Sequence, residues 1–335
     1  MHAFQQITQP LPTLSDYARE IYLPKANLNL FLYEAGRPDA PAAVLVHGLG
    51  DEADTWRFVF PDLLPKRHTV AFDLPGFGRS DKPAHSYTLE FFRDGLLELM
   101  DILEIPHATL VGHSLGALVV QLAALSAYTR VERLVLIDGS LASRKQKLDL
   151  KTTAYLVPGL GEWMYNWLRR DPQAAYQSLA PYYSNLEALP AEERAFLYQR
   201  VNERVWSDDQ RKAFLSTLRN LVRWLPAQQR SLIERLAKLT IPTLVLWGDQ
   251  DKLQDPDNGR YLMEIQPSAR LVIVPGAGHN LQQERPQPVV EAVLGDLWDK
   301  IQPVRPEMLK IRATPAEDQK IDAHFASLER LIEQF

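Results

Sequence analysis

The chain has 335 residues, 46% of them hydrophobic and 24% charged, with a formal net charge of −5 and no cysteine. Such a length suits one large core with an inserted subdomain, or two modest domains. The missing cysteines exclude disulfides, thiolate nucleophiles and thiolate metal sites, and the acidic balance argues against nucleic acid, whose phosphates need a concentrated basic surface. In chain order, residues 1–20 are polar and proline-punctuated, and read as an arm over the body with no cleaved leader. Glu20 to Leu23 and Leu28 to Glu34 read as an antiparallel pair turning at Lys25-Ala26-Asn27. Apolar runs follow at Ala43 to Val46, Thr69 to Phe72, Ala108 to Val111 and Leu134 to Ile137, then near 243 and 271. Several are almost purely apolar, as parallel strands covered on both faces should be. Helical patterns lie between them near 54–64, 89–104, 115–128, 256–265 and 286–301. Alternating strand and helix predicts a doubly wound, mostly parallel α/β sheet, with its site at the carboxyl ends of the strands.

The alternation stops after Ser140. From 141 to 237 the pattern is helical throughout and holds Trp163, Trp167, Trp206 and Trp224, together with Tyr155, Tyr165, Tyr176, Tyr182, Tyr183 and Tyr198. Most of these aromatics are expected to pack the core of this segment, with a minority lining an apolar pocket. The expected division is therefore 1–140 and 238–302 for the two parts of the core, 141–237 for a helical insert, and 303–335 for a linker and a terminal helix. That helix carries Ile321, Phe325, Leu328, Ile332 and Phe335 at helical spacing, a stripe that packs on its own body or on a second subunit, so monomer and homodimer both stay open. No stretch approaches the roughly 18 apolar residues of a membrane span. A cytoplasmic location is the default expectation.

The chemistry is concentrated in Gly112-His113-Ser114-Leu115-Gly116. This pentapeptide lies between an apolar strand and a helix, and its serine is the candidate nucleophile. In so sharp a turn the serine takes a strained backbone that small neighbours tolerate, and its hydroxyl projects above the sheet near a helix N-terminus. Serine needs a base, and the base needs an orienting group. Downstream, the strand near 243 runs into Gly248-Asp249-Gln250-Asp251, and the strand near 271 into Pro275-Gly276-Ala277-Gly278-His279. An acid and a histidine thus each follow a strand end, in the order Ser, Asp, His. The eight histidines contain no His-x-x-x-His pair, so neither a metal nor another cofactor is indicated.

Four motifs in order make the chain resemble the α/β-hydrolase superfamily over roughly residues 22–300. They are Val46-His47-Gly48-Leu49-Gly50, Asp73-Leu74-Pro75-Gly76-Phe77-Gly78-Arg79-Ser80, the pentapeptide around Ser114, and Asp251 with Gly278-His279 and Glu284-Arg285-Pro286. The resemblance implies an eight-stranded sheet with a helical cap inserted after the sixth strand. It also implies a Ser114–His279–Asp251 triad, and an oxyanion hole made by the backbone N–H groups of Leu49 and Leu115. Asp249, nearer the strand end, is read as bonding loop amides, and Asp138, ending the sixth strand, is a third candidate acid. His47 is expected to brace its own loop and His113 to turn aside. His68, His85 and His107 fall in expected loops. Asp51 and Asp54 could receive a cationic group, although capping the helix near Thr55 explains them more simply.

A serine at the apex, where dehalogenases and epoxide hydrolases need a carboxylate, implies acyl transfer to water. The leading expectation is a carboxylesterase acting on a small to medium apolar ester. Thioesterase, amidase or aminopeptidase, carbon–carbon bond hydrolase and perhydrolase chemistry share the triad, and a small-molecule receptor on the same fold is the alternative from another class.

Overall fold

The computed structural model describes residues 9–144 and 150–298, with only the backbone for 150–152. The expected terminal helix and its stripe lie outside them. Among the described residues eight strands form one sheet: β1 (Ala18–Leu23), β2 (Leu28–Ala35), β3 (Ala42–Val46), β4 (His68–Phe72), β5 (Ala108–His113), β6 (Val131–Ile137), β7 (Thr243–Gly248) and β8 (Ala269–Val274). Their spatial order is β1-β2-β4-β3-β5-β6-β7-β8. β2 runs antiparallel to β1 and β4, and all other neighbours are parallel. The sheet is the doubly wound one expected. The helices are α1 (Phe60–Leu63), α2 (Leu89–Ile102), α3 (Leu115–Ser126), α4 (Leu150–Leu156), α5 (Leu160–Trp167), α6 (Pro172–Gln177), α7 (Ala191–Trp206), α8 (Asp208–Leu236), α9 (Asp257–Ile265), α10 (Leu281–Glu284) and α11 (Pro286–Leu294).

The two faces of the sheet explain the apolar runs. In β3, Ala42, Val44 and Val46 pack on one face with α2 and α3, whereas Ala43 and Leu45 pack on the other with α1 and α11. β6 and β7 alternate in the same way, Leu134, Leu136, Val245 and Trp247 against Val135, Ile137, Leu244 and Leu246. Because both faces are covered, every position is apolar and the period of two is hidden.

Several expected boundaries shift. β1 starts at Ala18, two residues before Glu20, after a 3-10 turn at Pro12–Tyr17 that buries Leu14. The helix expected near 54–64 is a 3-10 turn, Ala53–Trp56, followed by the single turn of α1. α11 stops at Leu294, because Gly295 takes a left-handed φ of 101° and ends the hydrogen-bonded ladder. His68 is no loop residue. It opens β4 opposite Ala42 and bonds Glu34 at 2.8 Å.

Between β6 and β7 the described residues hold the helices α4 to α8 with short turns between them, and no strand. A third apolar cluster there gathers Tyr165, Ala175, Tyr176, Tyr183, Leu186, Leu197, Val201 and Val205. The expected burial of aromatics fails for Trp163 and Trp167, which are 60% and 45% exposed on α5. No helix among the described residues is long and apolar enough to cross a membrane.

Candidate active site

The site is built on the carboxyl ends of β3, β5, β6, β7 and β8. β5 enters the pentapeptide turn, where Ser114 has φ 52° and ψ −115°, a conformation a side chain rarely adopts and one that costs on the order of 1–3 kcal/mol. The surroundings enforce it. Ser114 N–H donates to the Ile137 carbonyl at 2.8 Å, and its own carbonyl accepts from Ala117 at 3.0 Å. A Cβ on Gly112 would stand 2.3 Å from the Gly116 carbonyl oxygen, and one on Gly116 would stand 2.1 Å from that of Val46. No side chain fits at either position.

The structure brings Ser114, His279 and Asp251 together. His279 Nε2 lies 3.0 Å from Ser114 Oγ, and His279 Nδ1 lies 2.8 Å from Asp251 Oδ2. The other oxygen of Asp251 accepts from the amides of Leu253 and Gln254 at 2.8 and 2.9 Å. Burial pushes the Asp251 carboxyl up, but the histidine and these amides outweigh it and hold it below its ordinary range. An ionised Asp251 accepts a hydrogen bond from Nδ1–H, which leaves the Nε2 lone pair facing the serine hydroxyl.

The other two acids do different work. Asp249 accepts from the Gly276 amide at 2.7 Å, bonding a loop as expected. Asp138 is fully buried at the end of β6 with a φ of 50°, and its Oδ1 accepts from the Gly248 amide at 2.8 Å. Burial and the neighbouring Asp251 charge push its carboxyl well above the ordinary range. Of the three acids only Asp251 hydrogen-bonds His279.

The two local histidines are supports. His47 is fully buried, bonds the Gly48 carbonyl through Nδ1 at 2.8 Å, and accepts from the Leu74 amide through Nε2 at 2.8 Å. His113 donates from Nε2 to the His279 carbonyl at 2.8 Å. Burial and the neighbouring His279 push the His113 imidazole down to about 3, so it is neutral.

Leu115 opens α3 directly after the serine. A Cβ built on Gly48 would lie 3.2 Å from the Ser114 Cβ, so the turn carrying Leu49 abuts Ser114. Neither amide donates to another described residue.

Asp51 and Asp54 do not cap the helix near Thr55, and cations of the chain itself occupy both. Asp51 pairs with Arg204 at 2.6 Å. Asp54, almost fully buried, accepts from Tyr33 at 2.6 Å, from Arg79 at 2.9 Å and from Arg200 at 2.9 Å. The Asp73–Ser80 motif belongs to the same network, since Arg79 donates from Nε to Asp73 at 2.8 Å and Asp73 accepts from the Ala53 amide at 2.6 Å. The sequence reading missed Glu52, Arg200 and Arg204, because cation–anion pairs 146–153 residues apart leave no local pattern.

The helical insert also reaches the histidine loop. The Tyr182 carbonyl accepts from the Asn280 amide at 2.8 Å, and Glu284 accepts from Ser184 and from the Gly278 amide at 2.7 Å. The Tyr182 ring stands edge-on to His279, with centroids 5.9 Å apart. Phe214 of α8 lies against Gly50 and is flanked by Tyr155 and Tyr165 at 6.2 and 5.7 Å.

Residues 41–286 match the family model described as the alpha/beta hydrolase fold. The chain belongs to this family. Among its relatives is the uncharacterized protein Rv2715 of Mycobacterium tuberculosis (strain ATCC 25618 / H37Rv), 26% identical, with 82% of this chain and 80% of that one covered. The chain is also similar to the crystal structure of wild-type Cfl2 from Burkholderia cenocepacia, with a TM-score of 0.72 and 25% identity over 89% of this chain and all of that one. 2-Hydroxy-6-oxo-6-phenylhexa-2,4-dienoate hydrolase (BphD) from Rhodococcus sp. strain RHA1 shares the fold at a TM-score of 0.69, with 24% identity and 84% and 99% covered.

Proposed function

We propose that this α/β hydrolase is a carboxylesterase that cleaves small to medium esters through an acyl-enzyme on Ser114. The hydrogen-bonded chain from Ser114 Oγ through His279 to Asp251 carries this reading. His279 Nε2 takes the hydroxyl proton as Oγ attacks the ester carbonyl, and returns it to the departing alcohol. Asp251 keeps the imidazole in the tautomer that can do so and stabilises the imidazolium in between. The Leu49 and Leu115 amides receive the oxyanion, each such donor typically contributing about 3 kcal/mol of barrier lowering. Water, activated by His279, then releases the acid. A serine in place of a carboxylate cannot form the alkyl ester on which dehalogenation or epoxide opening depends. Phe214, Tyr155, Tyr165 and the Tyr182 edge over His279 support an apolar substrate beneath a cap made of residues 141–237.

The test is p-nitrophenyl butyrate, an acyl series around it, and a thioester, an anilide, a vinylogous diketone and an epoxide as contrasts. Wild type is expected to turn over the esters best and to be labelled at Ser114 by a fluorophosphonate, with Ser114→Ala losing both. Faster turnover of the diketone would move the reaction to carbon–carbon cleavage, and no turnover of any ester would sink the proposal.

A further inference from the structure

The last turn of α7 ends against the turn that carries Leu49. That turn is closed by the Asp51 N–H donating to the Gly48 carbonyl at 3.3 Å, and Gly50 within it has a left-handed φ of 75°. Leu49 therefore sits between two glycines, and its peptide group is held on the entry side of the turn at the Gly48 carbonyl, by His47 Nδ1 at 2.8 Å. What grips the exit of the turn is Arg204. It donates from Nη2 to Asp51 at 2.6 Å and to Glu52 Oε1 at 2.7 Å, and from Nε to Glu52 Oε2 at 3.0 Å. Glu52 is fully buried, so both its oxygens are committed to this guanidinium, with Arg200 at 3.8 Å as a second cation. Burial alone would push the Glu52 carboxyl up. The charges and hydrogen bonds of Arg204, with Arg200, hold it below its ordinary range instead.

We infer that Arg204 is a positioning residue for the oxyanion hole: by gripping Asp51 and Glu52 it fixes the Leu49 amide where the tetrahedral oxygen forms. The helical insert then completes the reaction centre besides covering it. This rests on the serine-hydrolase reading above. A planar fork is needed, because one guanidinium meets three carboxylate oxygens in fixed directions, which an ammonium cannot do.

The test compares Arg204→Met and Arg204→Lys with Arg57→Met. Arg57 also ties α7 to the core, through Glu193 at 2.5 Å, but touches no residue of the Leu49 turn in the bonds it makes. For each protein kcat and KM on p-nitrophenyl butyrate are measured. Inhibition constants are measured for a trifluoromethyl ketone, which adds to serine as a tetrahedral oxyanion, and for the methyl ketone that does not. Arg204→Met should lower kcat about 100-fold and weaken the trifluoromethyl ketone in proportion, while KM and methyl ketone binding change by less than about threefold. Arg204→Lys should recover part of that loss. Arg57→Met should lower Tm without altering the ratio of the two ketone affinities. If Arg204→Met keeps that ratio at the wild-type value, Arg204 only anchors the insert and the inference is overturned. Should Arg204→Met fail to fold, an unchanged ratio in Arg204→Lys overturns it equally. Fluorophosphonate labelling separates the two levels: no label on wild-type Ser114 removes the hydrolase reading itself, whereas normal labelling with an unchanged ratio removes this inference alone.

Discussion

The two turns that meet at Ser114 are held by different means. The turn at Ser114 is fixed by close approach of backbone, with carbonyl oxygens standing where the side chains of Gly112 and Gly116 would be. Its backbone hydrogen bonds and close approaches come mainly from β3, β5, β6 and the start of α3, and its requirement for small residues is written in five positions. The turn at Leu49, closed within itself at the Gly48 carbonyl, is also contacted from outside, by a guanidinium on α7 at Asp51 and Glu52 and by an aromatic ring on α8 at Gly50. Steric necessity leaves a motif. A charge pair chosen from across the chain does not.

The sharpest way to break this contrast is Gly116→Ala. With the added Cβ only 2.1 Å from the Val46 carbonyl oxygen, the sheet or the helix must move, and a loss above about 4 kcal/mol is expected in urea unfolding. A loss below about 1 kcal/mol would mean that the turn is not held by close approach after all.

Next comes the acid loop, where spacing and contact agree. Asp251→Asn should lower kcat by about 10⁴-fold with the fold retained, because an amide no longer selects the required tautomer. Asp249→Asn should cost about 1 kcal/mol of stability through its loop bond and leave the chemistry within about tenfold of wild type. Reversed outcomes, read by steady-state kinetics, would move the acid to Asp249.

A further effect is a pH dependence at Asp138. The folded protein keeps this carboxyl protonated far above the ordinary value, whereas the unfolded chain releases the proton above about pH 4. Its contribution is therefore fully present below about pH 4 and is lost as pH rises toward the folded value. Asn cannot titrate, so the stability of Asp138→Asn relative to wild type should climb as pH rises above about 4, by at most about 1.4 kcal/mol per pH unit. A difference that stays flat in paired urea titrations would mean that Asp138 is ionised in the fold.

Much of the architecture was legible because its causes are local or periodic. Strands buried on two faces must be apolar throughout, and the glycines around Ser114 have no substitute. The placing of Asp251 and His279 after successive strand ends likewise follows from the alternation of strand and helix. What could not be read was the burial of particular side chains. Trp163 and Trp167 look like core residues by composition yet lie on the surface of α5, and Asp51 and Asp54 look like caps yet pair with α7. Composition says that an aromatic or a carboxylate is present, not which neighbour the packed insert will offer it.

The sequence by itself determined the sheet, the placing of Ser114, Asp251 and His279 after strand ends and the turn that strains the serine, since each follows from sterics or hydrophobic pattern within a few residues. Only the tertiary structure decided that Asp251 rather than Asp138 or Asp249 meets His279, and that arginines of the insert reach the turn beside Ser114. Those outcomes depend on distances between segments 28 to 153 residues apart, which are set by how the whole core and insert pack.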